Sequence, residues 1–237
     1  MRVLLGSGGI GTEERRSKYG DLISDLFRDS DNVVFIPLAT HDHEGRTARL
    51  KESLGPMGAK FHALNVNHGV EQILAADGVY MGGGNSFLLN RDLHRYGLID
   101  SLRDVVKQGM PYLGVSAGSN VACPTMMTTN DMPIVMPPSY EALGIVPFQI
   151  NPHYYPGKIT FFSEGKSNDH FGESRRQRIS EYHQHESIPV LGLWEGSYVE
   201  WDGARGRLIG RATAFFRDSE PLEFANGALF DGDLALE

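Results

Sequence analysis

The chain has 237 residues, 28 of them glycine, and 22 Lys+Arg against 30 Asp+Glu give a formal net charge of −8. A hydrophobic fraction of 41% with 22% charged residues excludes a disordered chain, and the length suffices for a core that needs no disulfide or structural metal. The acidic balance argues against a nucleic-acid binder, the single Cys123 excludes an intramolecular disulfide, and no run approaches the ~20 apolar residues of a membrane span. The expectation is one cytoplasmic globular domain over residues 1–237, a monomer or a homodimer, binding neither nucleic acid nor membrane.

In chain order, short apolar runs alternate with amphipathic segments. Val3–Leu5, Val33–Leu38, Phe61–Leu64, Gly78–Met81 and Tyr112–Val115 read as buried strands. Between them Glu13–Phe27, Glu44–Leu54, Val70–Ala75 and Phe87–Val106, broken near Gly97, read as helices. In the first, Leu22, Ile23, Leu26 and Phe27 share one face. Strand–helix alternation predicts an α/β fold, its mostly parallel sheet flanked by helices on both faces, with ligands at the carboxyl ends of strands. Beyond residue 125 comes an irregular Met/Pro-rich loop, Met132–Pro138, then a strand at Phe148–Ile150 and a helix over Gly172–His185. Short strands follow at Val190–Leu193, Tyr198–Trp201, Arg207–Ile209 and Ala214–Phe216. Asp202-Gly203 predicts a hairpin between the second and third of these, and the antiparallel C-terminal third is expected to complete the same sheet.

Three glycine clusters follow predicted strands. Gly114-Val115-Ser116-Ala117-Gly118 matches G-x-S-x-G between a strand and a helix, the setting of a nucleophile elbow. There the serine hydroxyl is exposed on a sharp turn, and the N–H of Ala117 points to where an oxyanion would form. Gly82-Gly83-Gly84 follows the neighbouring strand and can bring a second N–H, from Gly84, to the same place. Gly6-Ser7-Gly8-Gly9-Ile10-Gly11 has the G-x-G-x-x-G phosphate pattern and raises a nucleotide-binding reading, but the second strand ends without the acid that would hold a ribose. It reads as a decoy.

A serine nucleophile needs a base, and the base an orienting carboxylate. Of nine histidines, His153 stands at a proline-fixed strand exit, Asn151-Pro152-His153. Asp131, in the irregular loop, and Glu195, just after a strand, are the candidate acids. His41-Asp42-His43 and His183-Gln184-His185 invite a metal reading, but neither has metal-ligand spacing, and no metal or other cofactor is expected.

Five blocks carry a resemblance: Gly82–Phe87, Gly114–Asn120, Ala122–Thr125, Thr128–Val135 and Gln149–His153. In this order they resemble the peptidase E family, the aspartyl dipeptidases among serine peptidases. Gly172–Ile179 and Gly192–Gly196 look like further family segments. The resemblance implies a fold like that of class I glutamine amidotransferases and metal-free cleavage of dipeptides with N-terminal aspartate. Ser116 would be the nucleophile and His153 the base. The third member stays open between Glu195 and Asp131. Glu195 is favoured because a strand end holds a carboxylate more rigidly than a Pro/Met loop, which leaves Asp131 to shape the pocket or contact the substrate amine. Arg175 and Asn85 are the expected substrate-binding residues, Arg175 supplying the fork for an aspartate side chain. Val115 and Trp194 depart from the family's tryptophan and proline, which bears on substrate preference. The rival readings are a cyanophycinase-like β-aspartyl peptidase, an α/β-hydrolase esterase and a non-catalytic binding module.

Overall fold

The computed structural model describes residues 1–8 and 11–237. The elements run β1 (Val3–Gly6), α1 (Glu13–Leu26), β2 (Val33–Ile36), α2 (His43–Leu54), β3 (Phe61–Ala63), α3 (Gly69–Leu74), β4 (Gly78–Met81), α4 (Ser86–Arg95), α5 (Ile99–Lys107), β5 (Tyr112–Val115) and α6 (Ala117–Asn120). After a long irregular stretch come β6 (Gln149–Tyr154), β7 (Thr160–Ser163), β8 (Lys166–Asp169), α7 (Arg175–Tyr182), β9 (Val190–Trp194), β10 (Tyr198–Trp201), β11 (Gly206–Ile209), β12 (Ala212–Phe215), β13 (Leu222–Phe224) and β14 (Leu229–Phe230).

The main sheet has the order β14-β11-β10-β1-β5-β4-β2-β3. Its five N-terminal strands are parallel and β10, β11 and β14 antiparallel. The continuous apolar runs of these strands follow from burial on both faces. Leu4, Val33, Phe35, Tyr80 and Leu113 face Tyr19, Ile23 and Leu26 of α1. Val3, Leu5, Val34, Val79 and Met81 face Leu89 and Leu93 of α4 and Leu102 and Val106 of α5. Side-chain oxygens start the helices: Thr12, Asp42, Asn85 and Ser174 accept backbone N–H groups at the first turns of α1, α2, α4 and α7. No helix among the described residues is long and apolar enough to cross a membrane.

The expectation that the C-terminal third completes the same sheet is corrected. The β10–β11 hairpin does join it, but β9 and β12 build a second sheet, β13-β12-β9-β6. The chain leaves one sheet for the other within three residues, at Glu195-Gly196-Ser197, where Gly196 has φ 74°. Ile150, Leu191, Leu193, Ala212 and Ala214 of the second sheet pack into the core that the main sheet shares with α4 and α5. Its other face carries Tyr154, Val190 and Phe215 against Ile179 of α7. The expected helix over 172–185 is shorter, and the β7–β8 hairpin and the strands β13 and β14 stand where none was expected.

Candidate active site

Four strand ends converge: β5, β4, β1 and the junction of β6 with β9. After Val115 the chain makes a sharp strand-to-helix turn with Ser116 at φ 55° and ψ −111°, a left-handed conformation costly for a serine. The turn is closed by Ser116 N–H donating to Gly6 O (2.9 Å), and Ser116 O accepts the N–H groups of Ser119 and Asn120 (3.0 Å each). Gly118 has to lack a side chain, because a Cβ there would lie 2.2 Å from Met81 O.

His153 sits on an irregularity in β6. The β6–β9 ladder pairs Asn151 with Gly192 and Tyr154 with Trp194, so Pro152 and His153 together oppose Leu193. This is a bulge, and His153 adopts φ 56° within it. The bulge aims the imidazole at the serine, with 2.8 Å between Ser116 Oγ and His153 Nε2. On the other side 2.6 Å separates His153 Nδ1 from Glu195 Oε1. The His153 and Glu195 side chains are 38% and 43% exposed, so the pair opens onto solvent. Three side chains brace β6 from behind: Asn120 and Thr128 donate to Ile150 O, and Asn130 Nδ2 donates to Pro152 O (2.7 Å).

Asp131 does not touch His153. Its Oδ2 accepts from Ser86 N–H (2.7 Å), Ser86 Oγ (2.8 Å) and Thr129 Oγ1 (3.2 Å), which fixes the start of α4. Asn85 is engaged at both ends, Oδ1 accepting from Leu88 N–H (3.0 Å) and Nδ2 donating to Met132 O (2.9 Å). These bonds hold the Gly82–Gly84 turn against the Met/Pro loop. A Cβ on Gly83 would lie 3.1 Å from Ser116 Cβ, so this turn runs directly beside the serine. Gly84 has φ 145°, and a Cβ there would strike Ala39 O at 2.3 Å. Among the described residues the N–H groups of Gly84 and Ala117 have no protein acceptor.

Three arginines begin α7, and two of them make ion pairs. Arg176 pairs with Glu220 (3.0 Å) and Arg178 with Glu173 (3.4 Å). Arg175 is half-buried, makes no ion pair among the described residues, and its buried Nε has no hydrogen-bond partner. Its guanidinium lies 5.5 Å from the centre of the Tyr155 ring. Burial, aided by the Arg178 charge, lowers its pKa from the ordinary arginine value, while Tyr155 and the Asp131 carboxylate act to raise it. A desolvated cation in this state is stabilised by an incoming carboxylate.

The remaining motifs resolve as follows. Gly9 and Ile10 of the first glycine cluster lie outside the described residues, but its Ser7 and Gly8 pack beside His153. Asp42 of His41-Asp42-His43 is occupied in capping α2. No three His, Cys, Asp or Glu side chains gather among the described residues where they could hold a metal ion. Trp194 lies under the Arg211 guanidinium, 3.9 Å from the ring centre, and donates to Thr213 Oγ1 (3.1 Å). Val115 packs against the α1-side core. The residues not singled out from sequence are Ser7, Asn120, Thr128 and Asn130, all of which brace the histidine strand.

The model of peptidase family S51 matches residues 3–209. The chain belongs to peptidase family S51. A Streptomyces coelicolor relative named peptidase E is 42% identical over 199 residues, covering 83% of this chain and 79% of the relative. A Drosophila melanogaster relative carrying the name "Probable alpha-aspartyl dipeptidase" is 41% identical over 196 residues, with 81% and 79% covered. The solved structure of a peptidase from an acI-B1 actinobacterium superposes with a TM-score of 0.67 at 16% identity, covering 97% of this chain and 96% of that one, which shows a shared fold. The mixed α/β fold is therefore one that this S51 chain shares with a solved peptidase.

Proposed function

We propose that this S51 chain is a serine aminodipeptidase that hydrolyses dipeptides with aspartate at the N-terminus. The observation that carries the mechanism is the continuous hydrogen-bonded line Ser116 Oγ, His153 Nε2, His153 Nδ1, Glu195 Oε1. His153 Nε2 takes the Ser116 proton as Oγ attacks the aspartyl carbonyl, and then gives that proton to the leaving amine. The aspartyl ester left on Ser116 is hydrolysed by water, with His153 again as base. Glu195, rather than Asp131, holds the imidazole in the tautomer that accepts at Nε2 and stabilises the imidazolium.

The turn at Ser116 is, in this reading, a nucleophile elbow on a sheet of the class I glutamine amidotransferase type. The N–H groups of Gly84 and Ala117, which have no acceptor among the described residues, form its oxyanion hole, and losing one such donor typically costs about 10²–10³ in turnover. Asp131 and Asn85 act one step removed, by fixing the Gly82–Gly84 turn. Arg175, which makes no ion pair among the described residues, takes the substrate's β-carboxylate, and the name of the Drosophila melanogaster relative agrees with that choice. The core shared by both sheets supports one domain over residues 1–237 as the working unit.

A panel of Asp-Leu, Asn-Leu, Glu-Leu and a β-aspartyl dipeptide, assayed with wild type and Ser116→Ala, tests this. Cleavage of Asp-Leu by the wild type alone is expected. Preference for the β-linked peptide would favour the cyanophycinase-like reading, and equal activity of Ser116→Ala would end the serine mechanism.

A further inference from the structure

Ser7 and Gly8, from a sequence pattern that resembles a phosphate loop, sit instead beside the bulge where β6 carries the proposed base and next to the end of β9 that leads to its carboxylate. We infer that Ser7 is the positioning residue that sets the His153–Glu195 geometry. The inference rests on the roles proposed for those two residues.

Ser7 is fully buried and sits directly after β1. Its Oγ accepts the His153 backbone N–H at 2.8 Å and donates to Leu193 O at 2.9 Å. These two groups belong to residues facing each other across the bulge, where Pro152 and His153 oppose Leu193. A bulge leaves its extra residue outside the ladder. Here one hydroxyl bridges that break, a role open only to a group that donates and accepts at once. Leu193 lies two residues before Glu195, so the bridge ties the histidine backbone to the strand end that presents the carboxylate.

Two backbone contacts continue the link on the carboxylate side. Ser7 N–H donates to Ser197 O (3.0 Å), and Gly8 O accepts Gly196 N–H (2.9 Å). Residues 196 and 197 follow Glu195 directly, so the 7–8 segment grips that residue's flank. Gly8, at φ 109°, presses close to the imidazole, since a Cβ there would lie 3.0 Å from His153 Cε1. The segment therefore fixes the backbone of the base, the strand before the acid and the turn after it.

The test compares wild type with Ser7→Ala and Ser7→Thr on Asp-Leu, with His153→Ala and Glu195→Gln alongside. Three readouts are taken: kcat and KM separately, the low-field proton NMR signal of the His153 Nδ1–H, and amide exchange at His153 in the unaltered protein. Ser7→Ala is expected to lower kcat by about 10- to 100-fold, the scale of a displacement near 1 Å, with KM within about twofold. Its low-field signal should broaden or vanish, and Ser7→Thr, which keeps the hydroxyl, should recover part of both. In the wild type the His153 amide should exchange slowly.

The inference is overturned by a Ser7→Ala protein with wild-type kcat and an intact low-field signal, or by one that changes only KM. A rapidly exchanging His153 amide in the wild type overturns it even if no Ser7 variant folds. Full activity in His153→Ala would instead defeat the proposed mechanism, so the two failures are distinguishable.

Discussion

Replacing Arg175 by methionine isolates the proposed recognition of aspartate from the rest of the site. The guanidinium is half-buried, with no ion pair among the described residues, so the substrate carboxylate would be its counter-charge. Two unit charges at ~4 Å and an effective dielectric near 20 attract by about 4 kcal/mol. The site is open on one side, and discounting for that exposure leaves ~2–3 kcal/mol, or roughly 30- to 150-fold in kcat/KM. The loss should fall on Asp-Leu, while Asn-Leu, which brings no charge, changes by only a few-fold. Stability should shift by less than about 1 kcal/mol. Removing the cation from the face of the Tyr155 ring costs ~0.5–1 kcal/mol, and the unpartnered buried Nε disappears with it. Arg176→Met and Arg178→Met are the controls, because each removes an exposed ion pair worth ~0–1 kcal/mol and should leave the Asp-over-Asn ratio intact. The assay is steady-state hydrolysis of both dipeptides by all four proteins. A uniform loss on both substrates with Arg175→Met, or a collapse of the ratio with either control, would refute the assignment.

Further outcomes follow from the same geometry. Glu195→Gln should lower kcat on the order of 10²–10⁴-fold with little change in unfolding midpoint, because among the described residues the carboxylate bonds to the part-exposed imidazole alone. Asp131→Asn should instead show mainly in denaturant unfolding, at ~1–2 kcal/mol, since Asp131 secures the first turn of α4; the opposite pattern would exchange their roles. Gly84→Ala should cost roughly 1–3 kcal/mol and most of the activity, because its Cβ cannot coexist with Ala39 O. A stable, active Gly84→Ala protein would show that this N–H is no oxyanion donor. Burial pushes the Cys123 thiol up to about 12, so near pH 8 it stays protonated and unreactive. A disulfide reagent should titrate no thiol in the native protein and one in denaturant, whereas reaction in the native state would contradict the buried placement.

The parallel half of the fold was legible because Val33–Ile36 and Gly78–Met81 are continuous apolar runs, a pattern that burial on both faces demands. The second sheet was not, since Val190–Trp194 and Tyr198–Trp201 look like successive strands of one sheet. What separates them is a reversal at Gly196, which no periodicity announces. The β7–β8 hairpin was missed because its strands are exposed on both faces and carry no alternation. Ser116 and His153 were readable from a small-residue turn and a proline-fixed exit, and family resemblance named them together. Which of Glu195 and Asp131 hydrogen-bonds His153 was not, because it turns on which loop meets a bulge in β6, a matter of tertiary packing. Ser7 was hidden for the opposite reason. Its glycine-rich surroundings matched a phosphate-binding pattern, and its partners lie 146 and 186 residues away.

The central claim is that Ser116 becomes covalently aspartylated with His153 as its base. The direct measurement is rapid quenching of the enzyme in acid during turnover of an activated aspartyl ester, followed by peptide mapping by mass spectrometry. An aspartyl adduct is expected on the peptide containing Ser116, accumulating before steady state, absent from Ser116→Ala and formed far more slowly in His153→Ala. Turnover of Asp-Leu by Ser116→Ala at the wild-type rate, or an adduct confined to another residue, would contradict the account.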